Sequence, residues 1–156
     1  MLPGPIPAAS TLAAASVRAI PSRTRSCSST PSAFASPSSL PRVMADPVRL
    51  TQALLNVLIN AIQAVEKKGR VEVSAAVADG QVCVAVSDNG PGIPPDKLAS
   101  VFDPYFTTKS EGSGLGLWIA QQIVTAHGGS LEAQNRPSGG AVVTMRLPMK
   151  REGTTV

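Results

Sequence analysis

At 156 residues the chain has room for one ordinary domain and little more. Its formal charge of +4 comes wholly from residues 1 to 45, where Arg18, Arg23, Arg25 and Arg42 stand without a single acid. The rest balances ten cations against ten anions, so the basic character is not the footprint of a nucleic-acid-binding face.

The segment from Met1 to about Pro41 is rich in Pro, Ser and Ala, with seven prolines in no period and no useful amphipathic stretch. Such a composition cannot bury enough apolar surface to offset the entropy of ordering. Residues 1–42 are therefore expected to be disordered or a non-native leader. An acid-free stretch with Arg and Ser fits a transit peptide. A wrong reading frame or misplaced start gives the same bias and is the favoured explanation.

At Asp46 the pattern changes. Asp46 and Pro47 suit the N-cap and first position of a helix. Leu50, Leu54, Val57, Leu58, Ala61, Ile62 and Val65 then recur at three and four, giving one apolar face. Lys67, Lys68 and Gly69 close that helix, and the basic cluster they form with Arg70 is a solvated helix end. Two alternating strands come next, Arg70 to Val77 and Gln81 to Asp88, joined through Asp79-Gly80, a tight-turn signal. A Gly/Pro-rich loop runs from Asn89 to Pro95 and a short helix lies near Asp96 to Val101. A long loop from Phe102 to Ser113 leads into a helix from about Leu115 to Ala126, stopped by Gly128-Gly129. Two last strands fall near Ser130 to Asn135 and Ala141 to Leu147. This order predicts helices packed on one face of a mixed sheet, an α+β two-layer sandwich. No run reaches the ~18 apolar residues of a membrane span. Any membrane-bound part of a parent protein would lie outside this chain. Cys27 falls in the leader and Cys83 in a strand, so no disulfide is expected and Cys83 is a small core residue.

Four constellations carry chemistry. Gln52, Asn56 and Asn60 share one stripe of the first helix. Asn is a poor helix-interior residue, but its amide oxygen is a neutral hard ligand suited to Mg²⁺ that already holds phosphate oxygens and water. Helix-surface asparagines are the plain alternative. The second constellation, Ser87 to Pro94, ends a strand in a carboxylate and then turns on glycines. Such a carboxylate can accept from the exocyclic amine of adenine and repels the carbonyl of guanine, although an ordinary Asx turn has the same residues. The third, Phe102 to Lys109, gathers three of the five aromatics. It suits a small satellite core, or a lid pinned by its aromatics with Lys109 within reach of a phosphate. The fourth, Gly112-Ser113-Gly114-Leu115-Gly116-Leu117-Trp118, opens a helix, where free N–H groups and the positive dipole end favour an anion. It lacks the Gly-Lys-Ser/Thr of a Walker loop.

Together and in this order, the four resemble the N, G1, F and G2 boxes of the histidine-kinase ATPase domain, in the superfamily shared with gyrase, Hsp90 and MutL. NVLINAIQAV, DNGPGIP, FDPYFTTK and GSGLGLWIAQQIVTAHGG are similar to the nitrogen-regulation type of sensor kinase, and GGAVVTMRLP resembles that family's last strand. The resemblance implies a Bergerat-type ATP-binding fold over residues 43–150, with 151–156 as a tail. It implies ATP and Mg²⁺ as ligands and a cytoplasmic location. Asn60 would coordinate Mg²⁺ with Asn56 beside it, and Asp88 would read adenine N6 in a pocket shaped by Gly90, Gly92 and Ile93. Phe102 and Phe106 would anchor the lid that carries Thr107, Thr108 and Lys109. Gly112, Ser113, Gly114, Leu115, Gly116 and Leu117 would wrap the triphosphate. Asn56, Asn60 and Lys109 would serve catalysis. The hydrolysing relatives have a Glu in the place of Asn56. An amide is no base, so hydrolysis should be slow and the γ-phosphoryl kept for a protein acceptor.

That acceptor, a histidine on a dimerisation hairpin, is implied as a partner together with a response regulator. The only histidine, His127 in TAHGG, falls at the end of the G2 helix and suits a structural role. No His-Glu-x-x-Asn-Pro motif is present. The fold is expected to be truncated at its N-terminal side, with only Arg42 to Ala45 to supply a remnant of the family's outer strand. The rival expectations are a stand-alone binding module resembling anti-sigma-factor Ser kinases, or an inactive fragment.

Overall fold

The computed structural model describes residues 40–65, 69–107 and 112–149, and the backbone of residues 14–19. Helix α1 spans Pro47–Ala64. The Asp46 carboxylate caps it, accepting from the backbone N–H of Val48 at 2.9 Å and of Arg49 at 3.3 Å, with Pro47 in the first turn where no N–H is needed. Lys67 and Lys68, expected at its end, lie outside the described residues. The inner face of α1 is Ala53, Val57 and Ala61, all buried. Such small side chains let a second helix, α2 (Gly116–Ala126), lie close against it through Ala120.

The sheet is built from β1 (Ala14–Ala19), β2 (Arg70–Ala78), β3 (Gln81–Asp88), β4 (Ser130–Asn135) and β5 (Ala141–Pro148) in the order β1-β2-β3-β5-β4. Strands β2, β3, β5 and β4 are antiparallel and β1 runs parallel to β2. Positive φ at Asp79 and Gly80 makes the two-residue turn between β2 and β3. That turn fixes Ala78 opposite Gln81, and the register then sets Asp88 opposite Val71 at the far tip. Along β5, Ala141, Val143, Met145 and Leu147 are buried and the residues between them are not, the period of a strand with one covered face. Val143, Met145 and Leu147 meet Val57, Ile123 and Val124 of the helices, and Val71, Val86 and Leu131 of the neighbouring strands, in one core. The helices lie on one face of a mixed sheet, as the sequence predicts. Cys83 is buried in β3.

The N-terminal edge departs from expectation. Strand β1 lies inside the segment expected to hold no element, and it pairs with β2 from Ala14↔Arg70 to Ala19↔Ala75. Arg42 to Ala45 do not supply that edge; Val43 makes a single bridge to Met149. The reason is that pairing at a sheet edge uses backbone groups. A strand recruited in this way needs no alternation of side chains, so composition gave no warning of it. The other elements sit within a residue or two of expectation, save that the segment Pro95–Ser100 is a 3-10 helix.

Candidate functional site

A cavity of about 630 Å³ opens between α1, the loop after β3 and the start of α2, a volume usual for small-molecule sites. Helix α1 supplies Asn56, Ile59, Asn60, Gln63 and Ala64. Pro91, Gly92, Ile93 and Pro94 form a second wall, and Val101, Phe106 and Thr107 a third. Gly112, Ser113, Gly114, Gly116 and Leu117 complete it. All four sequence constellations, from four separate stretches of chain, thus contribute to one space.

Asp88 is 5% exposed and stands behind this lining rather than in it. Its Oδ1 accepts from the N–H of Gly90 at 2.9 Å and of Ala141 at 3.3 Å. The same strand tip is held again through its carbonyl, which accepts from Arg136 Nη1 at 2.9 Å. Oδ2 takes no hydrogen bond from the described residues. A Cβ on Gly90 would stand 3.0 Å from Oδ1 and 2.5 Å from the carbonyl oxygen of Ala64, so only glycine lets the backbone pass between the carboxylate and the cavity wall.

The glycine ribbon owes its course to a similar close approach. Gly114 has φ +68, and a Cβ there would run into the Tyr105 carbonyl. Tyr105 itself has φ +65, an uncommon state for a non-glycine residue, and is 75% exposed. Of the three clustered aromatics, Phe102 packs on the core and Phe106 lines the cavity. Tyr105 contributes its backbone, as the surface against which Gly114 lies.

Helix α2 begins at the cavity with no side-chain cap and no acid in its first turn. Its leading N–H groups and dipole are therefore turned to whatever occupies the space. Nearby, the buried Nδ2 of Asn56 has no hydrogen-bond partner among the described residues. A buried amide donor without an acceptor costs about 1–3 kcal/mol. Among the described residues none of those lining the cavity is charged, and no group of His, Cys, Asp and Glu gathers to hold a metal. The arrangement suits an anion that brings its own charge and metal. Neutral amides and backbone N–H groups receive it.

Of the residues singled out from sequence, Asn56, Asn60, Gly92, Ile93, Thr107, Gly112, Ser113, Gly114, Gly116 and Leu117 line the cavity. Gly90, Phe102 and Leu115 stand behind it with Asp88. Thr108 and Lys109 lie outside the described residues. Sequence reasoning missed Ile59, Gln63, Ala64 and Val101 as lining, and Asn135 and Arg136 as supports. Ile59, Gln63 and Ala64 lie beside Asn60 on the same helix, so a helical projection finds them. Nothing local marks the others.

His127 ties the two helices together. Its Nδ1 lies 2.7 Å from the carbonyl oxygen of Ile123, and its Nε2 accepts from the N–H of Asp46 at 3.1 Å. With Nε2 accepting, Nδ1 is the nitrogen placed to donate to the Ile123 carbonyl. The ring joins the end of α2 to the cap of α1, the structural role expected of it.

A model of the histidine kinase-, DNA gyrase B- and HSP90-like ATPases matches residues 45–151. The chain belongs to that family. The ATPase domain is 45% identical over 108 residues to the sensor histidine kinase ZraS of Salmonella typhimurium, a match covering 69% of this chain and 23% of ZraS. It is 40% identical over 112 residues to the signal transduction histidine-protein kinase AtoS of Escherichia coli, covering 71% of this chain and 18% of AtoS. The chain thus spans about a quarter or less of the length of these relatives. Among solved structures, the catalytic domain of histidine kinase ThkA is similar, with 37% identity and a TM-score of 0.63 over 69% of this chain and 70% of that one. Full-length ShkA in complex with AMPPNP gives 33% identity and a TM-score of 0.63 over 75% of this chain and 25% of ShkA. The ATPase domain is therefore an ATP-binding catalytic domain of the histidine-kinase kind. Among the described residues no helix is long and apolar enough to cross a membrane.

Proposed function

We propose that this domain binds ATP with Mg²⁺ and serves transfer of the γ-phosphoryl group to a histidine on a separate dimerisation hairpin. The observation that carries the proposal is the meeting of Asn56 and Asn60 with Gly112, Gly114 and Gly116 around one cavity. The uncapped start of α2 and the unpartnered Asn56 amide give a triphosphate both donors and a favourable dipole. Mg²⁺, when bound, neutralises charge on the phosphates and orients them for displacement. Asn60 would hold it, a single amide sufficing because phosphate oxygens and water complete an octahedral shell.

Asp88 would take the adenine amine on Oδ2, since Oδ1 is already engaged by two backbone donors. The loop 91–94 would cover the base, and Phe106 and Thr107 would close the side from which the lid departs. Lys109 would approach the phosphates from that lid. Among the described lining residues none is a carboxylate or histidine able to deprotonate water, and slow hydrolysis would go with delivery to a protein nucleophile. A response regulator would then draw the group from the phosphohistidine, on the cytoplasmic side where ATP is supplied. The anti-sigma-like alternative has no support among the relatives ZraS and AtoS, which are both named as histidine kinases.

The test has two arms. Calorimetric titration of the whole chain with a non-hydrolysable ATP analogue should give saturable binding that strengthens with Mg²⁺. Incubation with γ-labelled ATP and a separately prepared phosphoacceptor hairpin of a similar kinase should place acid-labile label on the hairpin alone. Absence of nucleotide binding by the folded chain refutes the proposal.

A further inference from the structure

The loop that lines one wall of the cavity is held from behind by the β4–β5 hairpin. The N–H of Ile93 donates to Oδ1 of Asn135 at 2.7 Å, and Nδ2 of Asn135 donates to the Ile93 carbonyl at 2.6 Å. One side-chain amide thus pairs with both backbone groups of one residue, as a neighbouring strand does. The next residue, Arg136, reaches the carbonyl of Asp88 through Nη1, and Ala141 across the hairpin donates to the Asp88 carboxylate. The hairpin therefore grips both ends of the stretch from Asp88 to Ile93, 42 to 53 residues away in sequence.

Gly92 and Ile93 line the cavity whereas Asn135 and Arg136 do not. The loop itself is poor in internal restraint. It lies outside any helix or strand, and two of its members, Pro91 and Pro94, have no N–H to donate. Asn135 is solvent-exposed, and its side-chain amide spends both its oxygen and its nitrogen on Ile93.

We infer that Asn135 is a positioning residue for nucleotide recognition, fixing the loop wall beside Asp88 so that the base is discriminated. The inference rests on the proposed ATP site. The cost of a loosened loop falls on the ligand, because a site competent for only a fraction of the time binds more weakly by that fraction.

The test uses the whole chain and its Asn135→Ala and Asn135→Asp variants. Asn135→Asp keeps an acceptor for the Ile93 N–H but sets an oxygen against the Ile93 carbonyl, so it should fail as Asn135→Ala does. Both should bind ATP about tenfold more weakly, the scale expected when roughly one net hydrogen bond of loop order is lost. Binding of GTP, weak from the start, should change less, so the ATP-to-GTP preference falls. Hydrogen exchange at the Ile93 amide should accelerate while that of Val143 and Val124 in the core does not. A purely structural role would slow or hasten exchange everywhere and leave the preference between bases unchanged. If the unsubstituted chain binds ATP and Asn135→Ala binds it equally with the same preference, the inference is wrong and the site stands. If the unsubstituted chain binds no ATP, the site and the inference fall together.

Discussion

Replacing Asp88 by Asn separates the fold from the reading of the base. The carboxylate is 5% exposed, and Oδ1 accepts from two backbone N–H groups, those of Gly90 and Ala141. An amide oxygen can take the place of Oδ1 and keep both bonds at the same spacing. Those bonds weaken on losing charge, but a buried neutral amide is also cheaper to desolvate than a carboxylate. The two effects oppose, so the stability of Asp88→Asn should lie within about 1 kcal/mol of the unsubstituted chain. The other position changes character, from an acceptor to a donor facing the adenine amine. Losing one charge-assisted bond costs about 1.5–3 kcal/mol, and leaving a buried donor facing another donor adds about 1–3 kcal/mol. Together these correspond to a loss of at least about 60-fold in ATP affinity. The same donor meets the carbonyl of guanine favourably, so GTP should gain on ATP. Titration calorimetry with both nucleotides, beside a urea unfolding curve, measures all three quantities. ATP affinity in Asp88→Asn within about threefold of the unsubstituted chain would refute the assignment of Asp88 to the base.

The remaining substitutions probe other parts of the site and its frame. Asn60→Ala should bind ATP with the same affinity in excess Mg²⁺ as in a chelator, and a retained Mg²⁺ response would remove Asn60 from the metal. Gly114→Ala places a methyl group on the Tyr105 backbone in a left-handed conformation, with a strain of about 1–2 kcal/mol. It should weaken ATP at least tenfold with little change in circular dichroism; unaltered affinity would show that the ribbon need not follow this path. His127→Ala leaves the Asp46 N–H and the Ile123 carbonyl without the ring between them. The expected loss is about 1–2 kcal/mol of stability, or a fall in Tm of roughly 4–12 °C for a domain of this size, and an unchanged melting curve would show the tie to be idle.

Much of this molecule is written locally. Asp46 and Pro47 announce a helix start through the cap they make, and Asp79-Gly80 announces a turn because φ is positive at both positions. The alternation in β5 states which face is covered. The glycine ribbon and the paired asparagines are legible for the same reason: each is a residue type whose chemistry is unusual for its element.

The parts that were not legible depend on chain segments meeting from afar. Strand β1 pairs with β2 through backbone groups, and backbone groups are the same in every sequence. Asp88 is recognisable as a strand-end carboxylate, but which of its oxygens remains open depends on Gly90 and on Ala141, 53 residues further on. Asn135 reads as the last polar residue of an edge strand until the hairpin brings its amide onto Ile93.

The sequence by itself determined the elements, their order and the chemical types that ring the cavity, because caps, turns and burial periods act over a few residues. Only the tertiary structure decided which atoms in that ring stay unsatisfied and which loops are held still. A hydrogen bond's partner is set by position in space, and position is fixed by the packing of the whole chain.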